Sequence, residues 1–459
     1  MMNLLQITSA ILLASGIYPL CKFIRKQDVN MFDLLILFYC LNFGIIPITH
    51  SHSRIFSSDI VLTEFVVLGI LIYSLLAFDL WWTKNKGSDT NLVNISLCLR
   101  QTKGVIISKT GYLFILIILA LEIAICIPYA TLLARLDSNI NVLDQNYSLR
   151  IIVTILNVTL SALCIILFMN YIINVRNRKA TLLDFFPVLL CLLICAFFPR
   201  RVFIQHLLEF GLIYYSVCRH LINVRKIFII ALLSIFLFQV YFPFYNVMRN
   251  NNIQFRMDSP VASLIKIVDY GIHNYSSGKE DAAKSADKRS MNLYFSLYDL
   301  LRQRNYHQWG TITWMEIDVA IPKALNPDKG ESSERKLELL TKHRTDQADS
   351  FILEACADIG LWGSLYCLII HLAIFYLYNG YSKLLYWLSD CWLISIYIMF
   401  AIFDSCWNIE ETLGGRISWF FSSATVLLSL YLLNTLRIIS FKRSELYILR
   451  SRLLYDSNY

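Results

Sequence analysis

Long apolar runs recur along this 459-residue chain and are broken once, by a polar stretch over 245–350. Continuous runs such as 113–128 show none of the period-2 alternation of a barrel strand, so they read as helices. A helix crosses the hydrocarbon core in about 20 residues. Eleven runs approach that length: 4–21, 32–49, 60–82, 111–134, 151–174, 183–198, 202–217, 227–244, 353–377, 389–406 and 417–436. The pattern predicts an all-α, polytopic helical membrane protein. It has a bundle over 1–244, a large loop over 245–350, further spans over 351–436 and a basic tail over 437–459. Within the loop, 291–301 reads as an amphipathic helix, 321–327 as irregular turns, and 332–345 as a helix rich in Glu, Lys and Leu.

Composition supports the membrane assignment. Apolar residues make up 57% of the chain and charged residues 16%, against about a quarter charged in soluble domains. Mean hydropathy is +0.54. The first run lacks a basic N-terminal region and a small-residue cleavage pattern, so it reads as a retained span. None of the 12 cysteines lies in the large loop, which therefore folds without disulfides.

Lys and Arg sort the connections into two sets of twenty and six. The rich set includes Lys22, Arg25, Lys26, Arg176, Lys179, Arg225 and the tail arginines; the poor set is Arg54, Arg135, Arg150, Arg200, Arg201 and Arg416. The positive-inside rule then places the C-terminus in the cytoplasm and the large loop outside. The loop itself has 15 basic and 14 acidic residues, which leaves no basic stripe for nucleic acid.

Few arginines face outward, and each needs an anionic partner or a route to the interface. Arg200 and Arg201 follow Pro199 in a hairpin between two spans. Arg249 falls just past the eighth span, and Arg416 opens the eleventh after Glu410, Glu411 and Gly414–Gly415. A guanidinium fork matches phosphate oxygens, so these four arginines could together form a diphosphate pocket. Carboxylates lie at the same level. Asp349, Glu354 and Asp358 cluster at the entry of the ninth span, with Glu354 and Asp358 four apart on one helix face. In the loop, Arg302, Arg304, Tyr306, Trp309 and Trp314 interleave charge with aromatic rings, which suits sugar stacking as well as interfacial anchoring. There is no P-loop, dinucleotide glycine motif, GxSxG or metal-ligand spacing.

The passage 349–363, ending Ala357-Asp358-Ile359-Gly360-Leu361-Trp362-Gly363, resembles a signature of the bacterial O-antigen polymerase and ligase superfamily. Gly310 through Ile321-Pro322 to Pro327 is similar to a passage of its repeat-unit polymerases. The resemblance extends to the plan: many spans, one large late periplasmic loop and arginine at a mid-chain hairpin. It implies a GT-C-like membrane glycosyltransferase of the bacterial inner membrane. Such an enzyme polymerises undecaprenyl-diphosphate-linked oligosaccharides at the periplasmic face, among membrane lipids and with a chain-length regulator protein as partner. On that reading Arg200, Arg201, Arg249 and Arg416 bind diphosphate, and Asp349 or Glu354 is the base. Asp358, Glu410, Trp309 and Arg302 would contact substrate, with no metal or cofactor. Ligases of the superfamily carry histidine where Asp349 stands, which favours the polymerase over the ligase. A flippase or other transporter is the alternative outside the enzymes, although the long loop and the lack of internal repeats give it little support.

Overall fold

The architecture is described from a computed structural model. It describes residues 4–45, 58–86, 95–102, 105–130, 146–198, 200–223, 259–275, 308–321, 333–341, 350–388, 391–409, 411–437 and 439–441, with isolated positions at 225–247, 297–301 and 326–330. The described chain is helical apart from one short antiparallel pair, Val105–Ile107 with Ile439–Phe441.

Among the described residues, five helical stretches are long and apolar enough to cross a membrane: Ser58–Lys84, Lys109–Tyr129, Ser148–Arg176, Leu413–Thr435 and Phe351–Tyr381, the last of which is folded at Gly360. A sixth crossing arises if Leu4–Ser15 and Ile17–Ile24, bent by 42°, count as one. Leucine and isoleucine lie on the outside of these helices as well as inside. Leu113 is 59% exposed, Leu116 60% and Ile155 57%. Apolar faces of this kind need lipid beside them. The protein is membrane-embedded. Shorter apolar helices occupy Met31–Gly44, Asp184–Cys195 and Trp392–Trp407, while most of the expected run 227–244 lies outside the described residues.

The chain divides into two compact units, each assembled from separate segments. The first comprises Met1–Cys98, Ser285–Ser389 and Tyr397–Ala424. An ionic staple holds its N-terminal helices: Lys22 Nζ lies 2.7 Å from Asp33 and 3.0 Å from Asp79. Asn30 caps helix Met31–Cys40 in a reciprocal capping box with Asp33 and also donates to Asp79 at 2.6 Å. Beside the staple, Phe32 packs against Phe78 and Phe375 at ring separations of 5.2 and 4.9 Å.

The expected straight span over 353–377 is not straight. Helix Phe351–Ile359 ends at Gly360, whose φ of +65° is open to glycine and costly for other residues. A short turn, Gly360–Trp362, reverses the chain into helix Gly363–Leu388, which packs back along the first helix. A Cβ on Gly363 would come within 2.6 Å of the Cys356 backbone, so the reversal requires glycine there. The rings of Phe351 and His371, twenty positions apart, consequently lie 5.2 Å from each other. The return helix alone, 26 residues, is long enough to span.

The second unit comprises Leu99–Lys284, Asp390–Ile396 and Thr425–Tyr459. Its centre is helix Tyr147–Arg176, against which Leu182–Cys195, Arg200–Cys218 and the segment Lys109–Cys126 pack. Asn146, Thr181 and Ser108 cap three of these helices through their side chains. Phe168 stacks on Phe210 at 3.9 Å in its core.

Candidate functional site

Four segments of the first unit meet around buried polar side chains. They are loop helix Thr311–Ala320, hairpin helix Phe351–Ile359, the turn Asp404–Trp407, and the start of helix Leu413–Thr435.

The loop helix was not expected; its stretch read only as aromatic and polar. Gly310, at φ +86°, starts it. Asp358 holds it in place, accepting from Ile312 N and Thr313 N at 3.0 Å each and from Thr313 Oγ1 at 2.6 Å. The first backbone N–H groups of a helix lack intrahelical partners, and a carboxylate there also meets the positive end of the dipole. Gln308 N and Trp309 N add bonds to the carbonyls of Ala357 and Asp358, at 3.1 and 3.0 Å. Asp358 is thus the anchor of the loop helix on the hairpin, with Tyr366 Oη and Thr313 Oγ1 2.9 Å apart beside it.

The docked helix turns Glu316 inward. Its Oε1 accepts from Ser333 N at 3.1 Å, the first residue of helix Ser333–Thr341, and its Oε2 accepts from Gly414 N at 3.1 Å. Glu354 Oε2 accepts from the neighbouring Leu413 N at 3.0 Å. Two carboxylates from different segments therefore satisfy the amino-terminal N–H groups of helix Leu413–Thr435. Gly414 has no alternative, because a Cβ there would lie 2.5 Å from Glu316 Oε2.

One turn further on is Arg416, 2% exposed. Its guanidinium donates to the Ser405 carbonyl, and to that of Asn408 at 3.3 Å. It stands over the Phe351 ring at 5.9 Å. Among the described residues it forms no ion pair with a carboxylate, and its Nε has no hydrogen-bond partner. Among the described residues its charge is met by two carbonyl dipoles and a ring face.

Two more buried polar groups continue from there. His371, beside Phe351, places Nδ1 2.7 Å from the Cys367 carbonyl. A carbonyl only accepts, so Nδ1 carries a proton, and in the neutral ring Nε2 then presents a lone pair. Nε2 has no partner among the described residues, nor has the hydroxyl of Tyr39, whose ring lies 6.2 Å from His371. Arg416, His371 and Tyr39 thus offer two donors and an acceptor in a desolvated place.

Of the candidates from the sequence, Glu354 and Arg416 come to adjacent helix starts, and Asp358 sits at the other end of the hairpin helix. Trp309 is 79% exposed. Arg200 and Arg201 begin helix Arg200–Cys218 of the second unit, with Arg201 exposed. Asp349, Arg249, Glu410 and Arg302 lie outside the described residues. Glu316, His371 and Tyr39 went unnoticed in the sequence. For Glu316 a signal was present: with Ile312, Thr313 and Ala320 it falls on the buried face at helical spacing.

No protein-family model matches the chain, and no curated protein or solved structure is significantly similar to it.

Proposed function

We propose that the protein is a glycosyltransferase that polymerises lipid-diphosphate-linked oligosaccharide repeat units at the outer face of a bacterial inner membrane. The proposal includes eleven crossings and a GT-C-like arrangement with the large loop outside. The observation that carries it is Arg416: a buried guanidinium without a carboxylate partner among the described residues, at the junction of a loop helix and two helix starts. A diphosphate supplies the missing counter-charge and can engage the fork through several oxygens.

In the reaction a hydroxyl of the acceptor repeat unit attacks the anomeric carbon of the growing glycan. The bond from that carbon to the diphosphate oxygen breaks, and undecaprenyl diphosphate leaves with the electron pair. The hydroxyl proton passes to a carboxylate, Glu354 or Asp349. Arg416 stabilises charge growing on the leaving oxygen, where a preorganised cation in a dry site is most effective. Arg200, Arg201 and Arg249 are further cations offered for phosphate by the second unit, while Trp309, Arg302 and Glu410 hold the sugars and Asp358, buried, positions the loop helix. No cofactor or metal is part of the scheme.

The test is the surface polysaccharide made by cells carrying Arg416→Lys, resolved on a gel. The proposal predicts single repeat units attached to the lipid core and no ladder. Full-length ladders would overturn it, and loss of all attached sugar would identify a ligase.

A further inference from the structure

The polar stretch 245–350 contains a helix whose small and apolar side chains face two ways. Pro260 opens helix Pro260–His273 at its first position, where a missing N–H is harmless. Asn274 closes it by donating from Nδ2 to the Tyr270 carbonyl at 3.0 Å. Ser263, Ile267 and Gly271, four apart, are buried and form the face that the protein itself covers. A second face is bare. Val261, Ile265 and Ile272 are between 65% and 68% exposed, and Val268 is 46% exposed. They stand at i, i+4, i+7 and i+11, so they fall in one narrow stripe along the helix. Lys266, Asp269 and His273, all exposed, make the edge beside it, with His273 Nδ1 3.3 Å from Asp269.

Single aliphatic residues on a surface need no explanation, but four in register over about three turns do. The chemistry of the stripe narrows what can cover it. It has no aromatic ring to stack on a sugar and no donor or acceptor to orient one. Four side chains fall far short of the roughly 20–30 residues a side in a stable protein interface. The edge sets one Lys against one Asp, so it selects no strongly charged partner. Hydrocarbon remains. The helix belongs to the second unit, whose long helices already turn Leu113, Leu116 and Ile155 to lipid. Its 14 residues extend about 21 Å, too short to cross a core of about 30 Å but suited to lying along one.

We infer that helix Pro260–His273 is a membrane-surface anchor. Val261, Ile265, Val268 and Ile272 sink into the boundary between acyl chains and headgroups, and Lys266, Asp269 and His273 stay among the headgroups and water. The partner is the lipid itself. An anchor here fixes the start of a large loop that has no cysteine to staple it. Nothing in this anchoring depends on the glycosyltransferase reading.

The test places p-benzoylphenylalanine at the positions of Ile265, Ile272 and Lys266 in turn, in the full-length protein reconstituted in phosphatidylcholine vesicles. All three positions are exposed, so the packed face is left undisturbed. After irradiation, lipid adducts are measured by mass spectrometry. Adducts at 265 and 272 should exceed those at 266 by about tenfold. Amide exchange in the same vesicles gives a second reading. Ile265→Asp combined with Ile272→Asp should cost the peptide over 260–273 about tenfold in protection, with helix Tyr147–Arg176 unchanged. Crosslinks from 265 and 272 to another part of the chain or to a second copy would overturn the inference. So would equal lipid adducts at all three positions, or unaltered protection in the double variant.

Discussion

Removing the Asp358 carboxylate should undock the loop helix. The side chain is 0% exposed and accepts three hydrogen bonds from Ile312 and Thr313. In Asp358→Ala the Thr313 hydroxyl can turn to another acceptor, but two backbone N–H groups are left buried without one. A buried donor left unpaired costs about 1–3 kcal/mol, so the pair costs about 4 kcal/mol. At about 1.4 kcal/mol per tenfold, the undocked population rises roughly a thousandfold. The reversal at Gly360 and Gly363 does not involve the Asp358 carboxylate, so the hairpin itself stays folded. Asp358→Asn keeps one acceptor oxygen while turning an N–H₂ toward the Thr313 donors, for an intermediate loss of about 2 kcal/mol. Amide hydrogen exchange followed by mass spectrometry reads this directly. The peptide over 311–320 should lose about three orders of magnitude of protection in Asp358→Ala, with helix Gly363–Leu388 unchanged. Exchange within about twofold of the parent would refute the anchoring role of Asp358.

Lys22→Met leaves Asp33 and Asp79 buried without their cation, and breaking such a pair costs about 3–5 kcal/mol. A clear fall in Tm in detergent is expected, partly reversed by adding Asp33→Asn; an unchanged Tm would count against the staple. Gly414→Ala drives a methyl into Glu316 and should cost about 1–3 kcal/mol, read as faster proteolysis of helix Ser333–Thr341. His371→Phe keeps the ring between Tyr39 and Phe351 but removes the Nε2 acceptor, so thermal stability should hold while polymer synthesis falls; unaltered synthesis would remove His371 from the site.

Much of the helical framework was legible in the apolar runs. Runs 60–82, 151–174 and 417–436 correspond to helices Ser58–Lys86, Tyr147–Arg176 and Leu413–Thr435, and Ser333–Thr341 falls within the expected 332–345. The hairpin at Gly360 was hidden because hydropathy reports apolarity and not direction. An apolar stretch that folds back on itself scores like one that continues, and only Gly360 and Gly363 mark the reversal. Glu354 and Arg416 stood out as charges at span ends, which is where desolvation makes a charge conspicuous. Glu316 escaped because a carboxylate in a polar loop looks solvated; its burial depends on the docking of Asp358, a contact 45 positions away in the chain. Asp358 itself was legible as an acid on the inner face of the ninth span, but its role as the cap of a distant helix was not.

The central claim is that Arg416 engages the diphosphate of a lipid-linked substrate. Incubating purified protein with a defined undecaprenyl-diphosphate repeat unit, and comparing the parent with Arg416→Lys, tests it most directly. The parent is expected to build a ladder of polymer while the variant, equally folded by hydrogen exchange, leaves the single unit unconsumed. A ladder of equal length and rate from the variant would contradict the account.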